Sequence, residues 1–188
     1  MLLIDTETTG LLKPEAVGLM QQPYITELCI IQSHPPRWKV EQCWTHLIKP
    51  PIEIPAAITK STGINNEMVS KSKNFNARVD EIISFFFGQR VLLAHNLSFD
   101  VGMLHTELAR INAVTRFPWP PIQICSVEAT YHLQGFRLNL TKLHHLATNK
   151  DRKESHRAEG DVLTLLECVA WMWKNGLLDK WGKQILNS

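Results

Sequence analysis

MLLIDTETTG, residues 1–10, opens on four apolar residues, Met1 to Ile4, too few for a helix and ended by polar ones. This run is read as the first strand. Outward from it, Ile25 to Gln32 and Gln42 to Lys49 are β-rich segments separated by the turn signal His34-Pro35-Pro36-Arg37, which predicts a three-stranded antiparallel meander. An irregular Pro-rich stretch, Pro50 to Pro55, and a helical patch follow. The period then changes. Apolar residues at 79, 82, 83, 86 and 87 predict a helix over Asn76 to Phe87, ended by Gly88. Val91 to Ala94 and Ile122 to Cys125 read as short buried strands, with a helix over Phe99 to Arg110 between them. Further helices are predicted at Ser126 to Leu133, Leu140 to Ala147 and Ala158 to Lys174, and a short last one from Leu177 to Leu186. A meander followed by strand–helix alternation gives an α/β or α+β domain, a mixed sheet with helices packed on it.

The chain has 188 residues, 44% hydrophobic and 20% charged. That is the length and composition of one ordinary globular domain, residues 1–188, with no repeat or low-complexity run. No apolar stretch is long enough to span a membrane. The N-terminus has no basic region before its apolar run, so it does not read as a signal peptide. Cys29, Cys43, Cys125 and Cys168 lie far apart in largely apolar neighbourhoods. They read as buried, reduced thiols of a cytoplasmic protein rather than a zinc knuckle or a disulfide framework. The formal charge of +2 is weak evidence alone. It gains weight if several of the acids hold metal, because the remaining surface is then more basic and suits an anionic partner.

Three acidic motifs carry the chemistry. In Asp5-Thr6-Glu7 the two carboxylates sit at i and i+2 of an extended segment and so share one face. Such a pair repels unless a cation lies between, and hard oxygen donors suit Mg²⁺ or Mn²⁺. A solvated pair at a strand end is the plainer reading of this motif alone. In His95-Asn96-Leu97-Ser98-Phe99-Asp100, directly after a buried strand, Asp100 falls in the first turn of a helix; it is placed for a site or merely for the helix dipole. In His156-Arg157-Ala158-Glu159-Gly160-Asp161, a His at the end of a polar loop precedes a helical acid. That is a candidate general base beside a candidate metal ligand, or a surface His near a helix start.

Taken together, the motifs strongly resemble the DEDDh branch of the DnaQ-like 3′–5′ exonucleases over nearly the whole chain. IDTETTGL matches the first motif, HNLSFD the second and HRAEGD the third, with His156 five residues before Asp161. PAAITKSTGINNEMV is similar to the segment that links the third strand to the second motif in proofreading exonucleases. The resemblance implies an α/β, ribonuclease-H-like fold: a mixed five-stranded sheet, three strands antiparallel and two short ones parallel, with helices on both faces. It implies hydrolysis at a 3′ end to nucleoside 5′-monophosphates with two divalent cations, Mg²⁺ or Mn²⁺, as cofactors. Two such ions about 3.5–4 Å apart clamp the attacking and leaving oxygens. Asp5, Glu7, Asp100 and Asp161 would be the metal ligands, with Asp5 shared between the ions. His156 would be the general base. Thr8, Thr9, Leu11, Leu12, Asn96 and Phe99 would line the substrate path, Leu11 or Leu12 wedging against the terminal base. Phe99 reads equally well as core.

Arg152, Lys153 and Arg157 are candidates for a basic track, although a charged loop is commonly just solvated. Trp171, Trp173 and Trp181 read as packing for the last helices. His144 and His145, about 100° apart on a helix, do not read as a metal pair. The expected partner is a single-stranded or frayed 3′ end, DNA favoured, and a polymerase in trans is a candidate partner. The alternatives are an exoribonuclease of RNA processing or turnover, which would share the same catalytic set, and a silent nucleic-acid-binding module. The silent module is disfavoured because all four acids and the His are present. The reading further expects a bacterial or phage-encoded protein.

Overall fold

The computed structural model describes residues 1–14, 16–152 and 157–187. Five strands, β1 (Leu2–Thr8), β2 (Ile25–Gln32), β3 (Gln42–Leu47), β4 (Val91–Ala94) and β5 (Ile122–Cys125), form one sheet in the order β3-β2-β1-β4-β5. β1 is antiparallel to β2 and β2 to β3, while β1–β4 and β4–β5 are parallel. This is the mixed sheet expected from a meander followed by βα units.

The helices are α1 (Ala56–Thr62), α2 (Asn66–Val69), α3 (Val79–Phe86), α4 (Leu97–Arg110), α5 (Ser126–Gln134), α6 (Leu140–Thr148), α7 (Ala158–Lys174) and α8 (Gly182–Leu186). Strand alternation splits the core in two. Met1, Leu3, Cys29, Ile31 and Leu93 face α7, burying Val162, Leu165 and Val169. Leu2, Ile4, Leu28, Ile30 and Leu92 face the other way, against Ile82 and Phe86 of α3 and Met103, Leu104 and Leu108 of α4. Helices therefore cover both faces.

One boundary differs in a way that matters. β1 continues past Ile4 to Thr8 because β2 keeps pairing with it, Asp5 opposite Cys29 and Glu7 opposite Glu27. β4 stops pairing at Ile4, opposite Ala94. Residues 5–8 of β1 are thus held on one edge, and open a cleft beyond the carboxyl ends of two parallel strands, where α/β sheets place ligands.

Trp171, Trp173 and Trp181 pack partly buried against the core, and Trp119 meets Phe86 edge to face and Phe117 at a tilt. The thiols are all free, and Cys43 is exposed rather than buried because the edge strand β3 turns it to solvent. Among the described residues no helix is long and apolar enough to cross a membrane.

Candidate active site

The same alternation that divides the core divides the chemistry of β1. On one face Met1 and Leu3 give way to Asp5 and Glu7; on the other, Leu2 and Ile4 give way to Thr6. Each covering helix then delivers one acid. Asp161, one turn into α7, meets the first face, and carboxylate oxygens of Asp5, Glu7 and Asp161 come within 4.8 Å of one another. Asp100, in the first turn of α4, meets the second. It is buried, and its Oδ1 accepts from the Thr6 hydroxyl at 2.8 Å. Asp100 stands outside that trio, tied down by Thr6.

The electrostatics are those of crowded anions. Burial, then the charges of Asp100, Asp161, Glu7 and Glu27, push Asp5 well above the carboxylate range. Burial and the charges of Asp161 and Glu27 lift Glu7 to about 8. Burial lifts Asp100 to about 7, opposed by its bonds to Thr6. Like-charged carboxylates in a poorly solvated cleft favour either protons or a cation between them. Three oxygen donors so close together fit a divalent cation.

Sequence reasoning missed the scaffold behind these acids. Glu27 lies directly opposite Glu7, yet its buried carboxylate does not face the cleft unpartnered. Arg157 donates to it through Nε at 2.9 Å and Nη2 at 2.5 Å, and the Ala158 N–H donates at 3.0 Å. The α7 N-terminus is thereby bolted to β2. The available signal was a Glu at position 27, the one charged residue of the largely apolar β2, where a charge demands a partner. Arg152 Nη2 bonds Asp161 Oδ1 at 2.7 Å. Arg152 and Arg157 thus hold acids of the site instead of forming the basic track expected of them. His156 and Lys153 lie outside the described residues.

The substrate-path candidates divide. Thr9 is engaged on both its N–H, which donates to Tyr24 O at 2.8 Å, and its Oγ1, which accepts from Tyr24 N at 2.9 Å. Both groups are thereby engaged within the protein. The Thr8 hydroxyl donates to Gly10 O. Leu11 is 79% exposed. Leu12 instead packs on α4, so close to Gly102 that a β-carbon there would lie 2.6 Å from Leu12 Cδ1. Asn96 adopts a left-handed conformation (φ 65°) ahead of α4 and accepts from Arg137 at 2.9 Å. Phe99 is half-buried against the α4 core.

His95 lines one cavity with Asp5, Arg152 and Asp161. Burial lowers it to about 4, and its Nδ1 pairs with the Ser126 hydroxyl at 2.8 Å, so it is neutral near pH 7.

The chain is similar to known exonucleases in sequence and in fold. The family model described as Exonuclease matches residues 2–169. The 3′-5′ exonuclease DinG of Bacillus subtilis (strain 168) is 30% identical over 167 residues, covering 85% of this chain and 16% of that protein. A PolC-type DNA polymerase III of Clostridium perfringens (strain 13 / Type A) is 26% identical over 139 residues, covering 72% of this chain and 9% of the polymerase. The chain thus spans a small part of the curated relatives it matches. Among solved structures, exonuclease X in complex with 5′-overhanging duplex DNA superposes with a TM-score of 0.64 at 20% identity, covering 99% of this chain and 97% of that one. The nuclease domain of 3′hExo, a DEDDh family member bound to rAMP, gives 0.73 at 16% identity, covering 94% and 92%.

Proposed function

The chain belongs to the DnaQ-like exonuclease family, and from that premise we propose that residues 1–188 act as one 3′–5′ exonuclease unit on single-stranded or frayed DNA ends. The observation that carries the reading is the convergence of Asp5, Glu7 and Asp161, from a strand and a helix, to within 4.8 Å. These residues, with Asp100 beside Thr6, would hold two divalent cations, Mg²⁺ or Mn²⁺ by their all-oxygen donor set. Bound there, the cations supply the positive charge that stabilises the attacking and departing oxygens of an in-line displacement.

The chain's own groups do the rest. His156 takes the proton from the attacking water. The water oxygen bonds to the terminal phosphorus and the bond to the preceding 3′ oxygen breaks. The products are a nucleoside 5′-monophosphate and a strand one nucleotide shorter. Leu11 wedges against the terminal base, with Thr8, Leu12, Asn96 and Phe99 along the strand's path. Thr9 acts through Tyr24 to hold the turn. The polymerase relative, which carries its matching segment within a polymerase chain, supports a polymerase as partner.

A second reading, RNA as substrate, is favoured by the likeness to a DEDDh nuclease domain bound to rAMP. The test is digestion of matched 3′- and 5′-labelled single-stranded DNA and RNA with Mg²⁺, Mn²⁺ or chelator. Metal-dependent shortening from the 3′ end with release of 5′-monophosphates is expected. Faster loss of RNA selects the second reading, and cleavage of neither overturns both.

A further inference from the structure

Among the described residues, Arg152 and Arg157 are engaged by acids. The loop between α5 and α6, with the first turn of α6, carries two further cations on the rim of the cleft. Gly135, in the left-handed region at φ 72°, ends α5, and the Asn139 side chain caps α6 by accepting from Lys142 N at 2.9 Å. Between them Leu138 is buried in the α7-side core, and its backbone bonds His95. Asn139 and Leu140 line the same cavity as Asp5 and Asp161. The loop is therefore anchored on the catalytic cleft at its inner residues.

Its outer residues face water. The Phe136 ring is 47% exposed, with Lys142 Nζ 5.6 Å from its centroid. Arg137 is exposed, and one of its donors is fixed on Asn96 Oδ1 at 2.9 Å. Among the described residues neither Lys142 nor Arg137 forms an ion pair. A lone exposed aromatic is ordinary. One flanked by two uncompensated cations, on a loop that walls an acidic cleft, has the makings of a single-strand site, in which bases stack on rings and phosphates meet cations.

We propose that Phe136, Arg137 and Lys142 form a shelf that binds a base and adjoining phosphate of the strand whose 3′ end lies in the acidic cleft. The inference rests on the exonuclease reading for the direction of that strand. It does not rest on that reading for the binding itself.

The test is fluorescence anisotropy of a short 5′-fluorescein single-stranded DNA, its 3′ linkage a phosphorothioate, with Ca²⁺ across a salt series. Phe136→Ala is expected to weaken binding by about 5- to 100-fold, the usual cost of a lost stacking contact, and Phe136→Trp to restore it. Arg137→Ala is expected to weaken binding and to reduce the slope of log K against log salt by about 0.7, one phosphate contact on a single strand. Wild-type affinity in Phe136→Ala, or an unaltered slope in Arg137→Ala with affinity retained, overturns the shelf. The wild-type protein is assayed for digestion in parallel. Tight binding sensitive to Phe136, with no release of nucleotides in Mg²⁺ or Mn²⁺, keeps the shelf and sinks the exonuclease reading. Digestion with shelf variants that bind normally does the reverse.

Discussion

The buried carboxylate of Glu27 accepts from Nε and Nη2 of Arg157 and from the Ala158 N–H at the start of α7. One residue of β2 thereby fixes where α7 begins, and so where Asp161, one turn later, points. Glu27→Ala and Arg157→Ala should each destabilise the fold by about 1–3 kcal/mol, the scale of a charged hydrogen-bonding group left unpartnered. The outer half of the pair is open to water, which keeps the cost below that of a fully buried pair. Both variants should also bind Mn²⁺ more weakly by calorimetry. The double variant should be scarcely worse than either single one, since the two residues act as a unit. Additive losses would show that the pair does not position the helix.

The crowding of acids sets a pH signature for the metal-free protein. Glu7 is lifted from 4.5 to about 8 and Asp100 from 3.8 to about 7. The folded state therefore holds more protons than the unfolded one between those limits. Stability from these groups is complete below pH 4 and is lost as pH rises through about 7 to 8. The melting temperature in chelator should fall between pH 5 and 8, by roughly 2–4 °C per kcal/mol lost. Mg²⁺ or Mn²⁺ should restore it, more at pH 8 than at pH 5. Differential scanning calorimetry at the two pH values decides this; a metal effect independent of pH counts against cation binding by these carboxylates.

Asp5 sits at the centre of that repulsion, raised by burial and by four neighbouring acids. Asp5→Asn removes the ionisable carboxyl while keeping its shape. Hydrolysis should vanish, yet the metal-free protein should melt at the same temperature or higher, and its response to added cation should shrink. Retained activity would remove Asp5 from the metal site.

Why was so much of this legible in sequence? The strands and helices carried clean periodicity, and the acids were legible because DxE at spacing two has one geometric meaning in a strand. What was not legible depended on register. That Glu27 lies opposite Glu7 follows from pairing across a loop, not from local pattern. The same holds for Arg152 and Arg157, which read as a track for an anion and instead pair with Asp161 and Glu27. A cation in a loop announces its charge and leaves its partner to tertiary structure. The full length of β1 depends on register too: its apolar run ends at Ile4, and the polar residues up to Thr8 stay in the strand because β2 pairs with them.

His156 immediately precedes, in sequence, the arginine that binds Glu27. His156→Ala should slow hydrolysis by about 10²–10⁴-fold, the range for a lost general base, while Mn²⁺ binding by calorimetry is retained. Loss of metal binding instead would make His156 a ligand.

Arg152 supplies the last test. Its Nη2 occupies Asp161 Oδ1 at 2.7 Å, inside the cavity shared with Asp5. A cation entering among the carboxylates competes with that guanidinium for the same oxygen, and a charge-assisted bond of this kind is worth about 1.5–3 kcal/mol. Arg152→Ala should therefore tighten Mn²⁺ binding by about tenfold when measured without nucleic acid. Weaker Mn²⁺ binding in Arg152→Ala would mean that the arginine orients Asp161 for the cation instead of competing with it.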